Sequence, residues 1–222
     1  MATFVMVPGA GGSGWYWNLV ASRLERAGHR ATAVDLPGAD EHAALPEYTR
    51  LVVDAIGDAS DVVLAAQSLG GFTAAMVCAT TPVRALVLLN AMIPVPGETP
   101  GAWWGNVGAV EAREAAAATG GYGDFDEVTY FLHDVPAAVV AESGQHQGAE
   151  ADAVFASPCE FDAWPAIPIR VAAGADDRFF PLDFQRRVAR ERLGLAVDSV
   201  PGGHLAALSH PDAVAAYLEG AI

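Results

Sequence analysis

The chain has 222 residues, of which 27 are acidic and 12 are basic, giving a formal net charge of −15. This length suits one domain that buries about 70% of its unfolded surface, and the charge argues against nucleic acid and anionic membranes as partners, because phosphate binding needs clustered cations. We predict no membrane span, no export signal and a cytoplasmic location, because no apolar run reaches about 20 residues and Met1 leads directly into a strand-like segment.

Six short runs rich in Val, Leu, Ile and Ala predict buried parallel strands. They are Thr3–Val7, Ala31–Val34, Val62–Ala66, Ala85–Leu89, Ile169–Ala173 and Ala196–Val200. Helical patterns lie between the strands, at Trp15–Ala27, Pro46–Ile56, Leu69–Thr80, Leu182–Leu193 and Pro211–Tyr217. This alternation predicts an α/β fold: a doubly wound, mostly parallel six-stranded sheet with helices on both faces.

The loop after the first strand reads VPGAGGSGW, in which Gly9, Gly11 and Gly14 have the spacing G-x-G-x-x-G. Asp35 ends the second apolar run, about where a dinucleotide-binding fold places its ribose-binding carboxylate. Glycines after a strand let backbone N–H groups approach any negative group, so the loop alone is compatible with a pyrophosphate or with a developing oxyanion.

About eighty residues separate Leu89 from Ile169, whereas the other crossovers take roughly thirty. We interpret this interval as an inserted helical cap of residues 91–165 on an α/β core of residues 1–90 and 166–222. Its helical stretches are Trp103–Thr119, Phe125–His133, Ala137–Gly144 and Ala149–Phe155. The cap is rich in aromatic residues, and we predict an apolar substrate pocket beneath it that includes Trp103, Trp104 and Phe131.

Three polar residues follow three different strands, in the chain order Ser, Asp, His. Ser68, in AAQSLGG, lies between a strand and a helix, where a sharp turn holds a nucleophilic serine above the sheet; Ala66 replaces the first glycine of the usual G-x-S-x-G pattern. Asp176 and Asp177 follow the fifth strand, and His204 follows the sixth in PGGHLAALSHP. This combination predicts a nucleophile, an acid and a base at one edge of the sheet.

These segments resemble the α/β-hydrolase fold superfamily, and within it the plant methylesterase and hydroxynitrile lyase-like branch. The matching motifs are VPGAGGSGWYW, DLPGAD, AQSLGGFTA, GADDRFFP and PGGHLAALSHP. The chain departs from the branch in having Pro8 where a histidine is usual, and its sheet begins at the branch's third strand.

The resemblance implies the strand order 2-1-3-4-5-6, with Ser68 as nucleophile, His204 as base and backbone N–H groups of Ala10 and Leu69 as oxyanion donors. Asp177 is preferred to Asp176 because it fits the D-x-x-x-P pattern of the branch. The implied reaction is hydrolysis of a small-molecule carboxylic ester, or of a thioester or lactone, without metal or cofactor.

Three alternatives stay open at this stage. A dinucleotide site is disfavoured once the glycine loop is placed opposite Ser68. Hydroxynitrile cleavage is disfavoured because Gly9 stands where those lyases have threonine, and because the chain has no lysine. A small-molecule receptor that retains the triad fits the aromatic cap equally well. We leave a homodimer open as the assembly.

Overall fold

A computed structural model describes residues 1–146 and 148–222. Its core is a six-stranded sheet in the order β2-β1-β3-β4-β5-β6, in which every neighbouring pair of strands is parallel. The strands are β1 Thr3–Val7, β2 Arg30–Ala33, β3 Val62–Gln67, β4 Ala85–Leu89, β5 Ile169–Gly174 and β6 Val197–Val200. The predicted fold class and strand order are therefore confirmed.

The central strands form as they do because helices cover both of their faces. Every residue of β3 and β4 is buried, which explains their unbroken apolar sequences. The edge strands β2 and β6 are more polar and partly exposed. Alternate residues of β1 enter two separate cores: Val5 and Val7 face one layer of helices, and Phe4 and Met6 face the other.

Most of the helices lie between successive strands, and the last two follow β6. The helices are α1 Asn18–Arg26, α2 Leu45–Ile56, α3 Gly70–Thr80, α4 Pro100–Asn106, α5 Ala109–Gly120, α6 Ala137–Ser143, α7 Asp152–Ala156, α8 Leu182–Leu193, α9 Ala206–Ser209 and α10 Pro211–Glu219. α2, α3 and α8 pack on one face of the sheet, and α1 and α10 pack on the other. Across residues 1–146 and 148–222, none of the helices combines the length and apolarity needed to traverse a bilayer.

The interval between β4 and β5 is helical, and its helices differ from the sequence-based prediction in three places. The stretch Ala149–Phe155 is shorter and shifted, because its helix is α7 Asp152–Ala156. The stretch Trp103–Thr119 is two helices, α4 and α5, because Gly108 between them adopts a left-handed conformation with φ of 61°. In the stretch Phe125–His133 the helical part is a short π-helix, Val128–Leu132. We retain the division into a core and a cap of residues 91–165 as a proposal.

A buried ion pair joins the segment after β4 to α8. Arg192 Nη2 donates to Glu98 Oε1 at 2.9 Å, and Asn106 Nδ2 donates to the same oxygen at 2.8 Å. The side chain of Glu98 is 2% exposed. Burial alone would raise the pKa of Glu98, but the hydrogen bonds from Arg192, Asn106 and the N–H of Val95, together with the charge of Arg192, outweigh burial and hold the pKa below its ordinary value.

Candidate active site

Ser68 lies in the sharp turn between β3 and α3, with φ of 50° in the left-handed region that non-glycine residues rarely adopt. The segment after β4 fixes this conformation from both sides. The N–H of Ser68 donates to Asn90 O at 3.2 Å, and the N–H of Met92 donates to Ser68 O at 2.9 Å. A Cβ atom on Gly71 would lie 1.9 Å from Met92 O, so the second glycine of SLGG is needed for this close approach.

The loop after β1 lies against the same turn. A Cβ atom on Gly9 would lie 2.5 Å from Gln67 Oε1 and 2.9 Å from Ser68 Cβ, so glycine lets the loop approach the serine. In the described part of the chain, the backbone N–H groups of Ala10 and Leu69 donate to no other group, and both residues line the cavity that contains Ser68. Two unused donors beside a serine are the arrangement that an oxyanion requires.

Asp35 does not extend toward this cavity. Its carboxylate accepts a hydrogen bond from the N–H of Gly14 at 2.8 Å and so closes the turn after β1. The carboxylate that was considered as a ribose ligand thus binds the segment after β1. Gly9, in the same segment, lies next to Ser68.

Asp177 is buried in the loop between β5 and α8. One carboxylate oxygen, Oδ1, accepts hydrogen bonds from the N–H groups of Phe179 and Phe180, both at 2.8 Å. The other, Oδ2, lies 2.9 Å from His204 Nδ1. Asp176 is exposed, and its N–H donates to Gly202 O at 3.0 Å. Of the two candidate acids, Asp177 is the one that contacts the histidine.

His204 follows β6 and is 2% exposed. Its ring packs edge-on against three phenylalanines, with centroid distances of 4.9 Å to Phe179, 5.1 Å to Phe180 and 5.3 Å to Phe131. The aromatic walls and the Asp177 carboxylate together restrict the ring to one orientation, with Nδ1 toward Asp177.

Ser68 and His204 line one cavity of about 480 Å³. Within residues 1–146 and 148–222 the side chains of Ser68 and His204 are not joined by a hydrogen bond. Catalytic hydrogen bonds are often long without substrate and shorten when it binds. The lack of a direct hydrogen bond between Ser68 and His204 is therefore compatible with a nucleophile and base pair.

The wall of this cavity is mainly aromatic and aliphatic, and its volume falls within the roughly 300–1,000 Å³ typical of small-molecule sites. Trp104 and Phe131 line it, and their role in binding a substrate stays a prediction. The structure does not place Trp103 there: Trp103 is fully buried, donates from Nε1 to Ile93 O at 3.1 Å, and packs against Phe180. Adjacent tryptophans on a helix point in different directions, which corrects the prediction for Trp103.

Tyr16 also lines the cavity and accepts a weak hydrogen bond from the N–H of Ala207 at 3.4 Å. Burial raises the pKa of Tyr16 well above its ordinary value. The phenol therefore stays neutral and can exchange hydrogen bonds with a ligand, but it cannot act as a base.

Two residues of the interval between β4 and β5 bind the loops after β1 and β2. Glu150 accepts hydrogen bonds from the N–H of Gly11 and from the hydroxyl of Tyr48, both at 2.5 Å. The N–H of Ala151 donates to Gly38 O at 2.7 Å. Burial raises the pKa of Glu150, although both of its hydrogen bonds act in the opposite direction. Gly11 follows Ala10, so this contact supports one of the candidate oxyanion donors.

A second contact from the interval between β4 and β5 is made to the loop after β6, which carries His204. Asp134 Oδ2 accepts a hydrogen bond at 2.7 Å from the N–H of Gly203, the residue before His204. His133 lies beside it, and both of its buried ring nitrogens are without hydrogen-bond partners among residues 1–146 and 148–222.

A metal site has no support in the part of the chain that the structure describes, where no group of three or more His, Cys, Asp or Glu side chains is arranged to hold an ion. Cys78 and Cys159 are free thiols. Burial raises the pKa of each to about 12, so both stay protonated and are poor ligands and nucleophiles.

Asn90 and Gln185 were not predicted from the sequence, yet both lie beneath the candidate triad. Gln185 Nε2 donates to Asp177 Oδ2 at 3.2 Å. Asn90 is 0% exposed and contacts the segments that carry Ser68, Asp177 and His204. One signal was available: Asn90 follows a buried strand directly, as Asp176 and Asp177 nearly do.

Comparison with known proteins identifies the family. A model of the alpha/beta hydrolase family matches residues 4–217. The chain therefore belongs to the alpha/beta hydrolase family, as its motifs predicted.

Individual relatives point to the plant methylesterase branch. The rice (Oryza sativa subsp. indica) probable esterase PIR7A is 39% identical over 110 residues, which are 44% of this chain and 42% of the rice protein. Methylesterase 7 of Arabidopsis thaliana is 34% identical over 104 residues, 41% of this chain and 40% of that protein. The alignments thus span about two fifths of the length of these curated relatives.

Among solved structures, polyneuridine aldehyde esterase superposes with a TM-score of 0.80 at 20% identity, covering 99% of this chain and 98% of that chain. This likeness shows a shared fold. The resemblance to the plant methylesterase branch is confirmed.

Proposed function

We propose that this protein hydrolyses small carboxylic esters through an acyl-enzyme formed on Ser68. The observation that carries the proposal is the 2.9 Å contact between His204 Nδ1 and Asp177 Oδ2 at the floor of the cavity that Ser68 lines. Esterases and methylesterases among the relatives give further support.

In the first half of the reaction, Ser68 Oγ attacks the ester carbonyl while His204 Nε2 takes the serine proton. Asp177 holds Nδ1 protonated and stabilises the imidazolium that forms. The carbonyl oxygen becomes negative in the tetrahedral intermediate, and the N–H groups of Ala10 and Leu69 stabilise it. A donor of this kind contributes about 3 to 4 kcal/mol in other enzymes.

The intermediate collapses when His204 gives its proton to the leaving alcohol, which departs and leaves the acyl group on Ser68. A water molecule then enters, loses a proton to His204 and attacks the acyl carbon. The second tetrahedral intermediate releases the carboxylic acid, and the proton returns to Ser68.

The cavity wall indicates which esters fit. Among the described residues that line it there is no arginine, and the chain contains no lysine. Among the described lining residues, a substrate carboxylate would find no arginine or lysine to pair with, and the rings of Phe131, Phe179 and Trp104 provide apolar contact. We therefore expect a neutral ester with an apolar or aromatic group.

The test is labelling with a fluorophosphonate followed by peptide mapping, together with turnover of a panel of neutral p-nitrophenyl and methyl esters. We expect the label on Ser68, and we expect Ser68→Ala to lose labelling and to lower kcat by about 10⁶. Ser22→Ala is the matched control, because Ser22 contacts Arg26 on the surface of α1.

Two outcomes would contradict the proposal. Labelling at another residue would move the nucleophile. Saturable binding of a neutral ester without turnover and without labelling would favour a small-molecule receptor.

A further inference from the structure

The side chain of Asn90 lies beneath the candidate triad and is completely buried. It immediately follows β4 and has φ of 47°, a left-handed conformation that asparagine adopts more readily than most residues. Such a polar residue at the end of an apolar strand needs hydrogen-bond partners, because an unpaired buried amide costs free energy.

Four partners of Asn90 lie on the segments that carry the three proposed catalytic residues. The backbone oxygen of Asn90 accepts the N–H of Ser68 at 3.2 Å. Oδ1 accepts the N–H of Gly174 at 2.7 Å, three residues before Asp177. Nδ2 donates to Gly203 O at 3.0 Å and to His204 O at 3.1 Å.

The chemistry of these partners requires an amide. Gly174 offers a donor, so it needs an acceptor, whereas the carbonyl oxygens of Gly203 and His204 need a donor. A carboxylate of the same shape would satisfy Gly174 and leave both carbonyls facing another acceptor. A hydroxyl has one proton and a shorter reach, so it could not serve all three.

Gln185 extends the same network to the acid. Its Nε2 atom donates to Phe180 O at 2.7 Å, and it lies 3.2 Å from Asp177 Oδ2 and 3.3 Å from Asn90 Oδ1. The loop between β5 and α8, which carries Asp177, is therefore fixed at its start by Asn90 and at the Asp177 carboxylate by Gln185.

We infer that Asn90 is a positioning residue that sets the relative placement of Ser68, Asp177 and His204. The catalytic part of this inference rests on the proposed ester hydrolysis. Asn90 touches no reacting atom, and it acts by fixing the three loops that carry the triad. Displacements of about 1 Å at a catalytic group can cost about 10² in rate.

Two variants test the inference. Asn90→Gly removes the amide and tolerates the left-handed backbone. Asn90→Asp retains the shape and the acceptor for Gly174 but removes the donor to Gly203 and His204. Asn106→Ala is the matched control, because it removes a partly buried amide whose partner is Glu98. Neither Asn106 nor Glu98 belongs to the loops that carry Ser68, Asp177 and His204.

The first measurement is hydrogen–deuterium exchange, which does not depend on catalysis. In Asn90→Gly we expect faster exchange in peptides covering residues 171–180 and 200–206, with the rest of the sheet unchanged. In Asn90→Asp we expect the increase mainly in 200–206. Unchanged exchange in both peptides of both variants would overturn the inference, whatever the activity.

The second measurement is steady-state hydrolysis of one neutral ester, well below the melting temperature of each variant. We expect kcat to fall about 10²-fold in Asn90→Gly with KM nearly unchanged, and the rate of fluorophosphonate labelling to fall in parallel. Asn106→Ala should keep its kcat even if its melting temperature drops.

The outcomes separate the two proposals. Faster exchange with normal kcat would overturn the positioning role while leaving ester hydrolysis intact. A wild-type protein that neither hydrolyses esters nor is labelled at Ser68 would overturn the proposed function. The exchange data would then decide separately whether Asn90 holds the loops together.

Discussion

Asp177 presents one carboxylate oxygen to His204 and the other to two backbone N–H groups, so the acid cannot rotate without breaking hydrogen bonds on both sides. Its neighbour Asp176 is exposed and contacts the histidine loop through its backbone alone. Two adjacent carboxylates therefore have very different surroundings, and this difference can be tested.

We expect Asp177→Asn to remain folded and to lower kcat for ester hydrolysis by about 10⁴, because an amide favours the wrong tautomer of the imidazole. Asp176→Asn is the matched control and should change kcat little. Both are measured on one ester, with circular dichroism to verify folding. The reverse ranking would make Asp176 the acid.

The two glycines at positions 9 and 105 give a second matched pair. Gly9→Ala places a methyl group 2.5 Å from Gln67 Oε1 and 2.9 Å from Ser68 Cβ, so we expect lower kcat and lower stability. Gly105→Ala, in α4 with open space around it, should stabilise the fold by roughly 0.5 to 1 kcal/mol.

Urea denaturation and ester turnover of both variants check this prediction. If Gly9→Ala kept full activity and stability, the loop after β1 would not depend on close approach to the serine.

The buried pair of Glu98 and Arg192 predicts a large loss of stability in one variant. Arg192→Met leaves Glu98 buried without its cation, so we expect a loss of about 3–5 kcal/mol at pH 7. Adding Glu98→Gln should recover much of it. Additive effects in the double variant would contradict the pairing.

The pH dependence of this loss has a definite sign. The pKa of Glu98 is lowered in the folded protein, so its stabilising contribution is present above the unfolded-state pKa and disappears as pH falls through the folded-state value. Without its cation, the buried Glu98 carboxyl has a higher folded-state pKa in Arg192→Met than in wild type. We therefore expect the deficit of Arg192→Met to shrink as pH falls from the variant's folded-state pKa to the lowered wild-type value, measured by urea denaturation across that range.

Glu150 predicts the opposite trend. Its pKa is raised by burial, so the folded state binds the proton more tightly, and stability falls as pH rises from the unfolded-state pKa through the folded-state value. Relative to wild type, Glu150→Gln should become progressively more stable through that window.

Tyr48→Phe provides a further test of the pH dependence of stability that Glu150 causes. It removes a donor that lowers the pKa of Glu150, so the window should extend to higher pH. A difference between Glu150→Gln and wild type that did not vary with pH would argue against a shifted carboxylate.

Much of the core was predictable from sequence, because strands buried on both faces read as continuous apolar runs. All six predicted strands match the observed ones to within one residue at each end, and β2 is the one that is shifted by one residue at both ends. The residues at strand ends were found by the same signal, because the carboxyl ends of parallel strands meet at one edge. The catalytic roles of Ser68, Asp177 and His204 remain predictions.

The interval between β4 and β5 was less predictable for physical reasons. Its helices are short, and Gly108 breaks one of them by a backbone conformation that composition does not reveal. Trp103 and Trp104 are adjacent and chemically alike, yet one is in the core and the other lines the cavity. Asn90 was overlooked because a single amide has no spacing motif, and its role depends on contacts distant in sequence.

The contact of Glu150 and Ala151 with the loops after β1 and β2 has a consequence for protein engineering. Glu150 supports the loop that contains Ala10, and Ala151 supports the loop after β2. A chimera that replaces the interval between β4 and β5 and omits both residues should therefore lose turnover on every ester. A useful exchange would keep this short segment with the core.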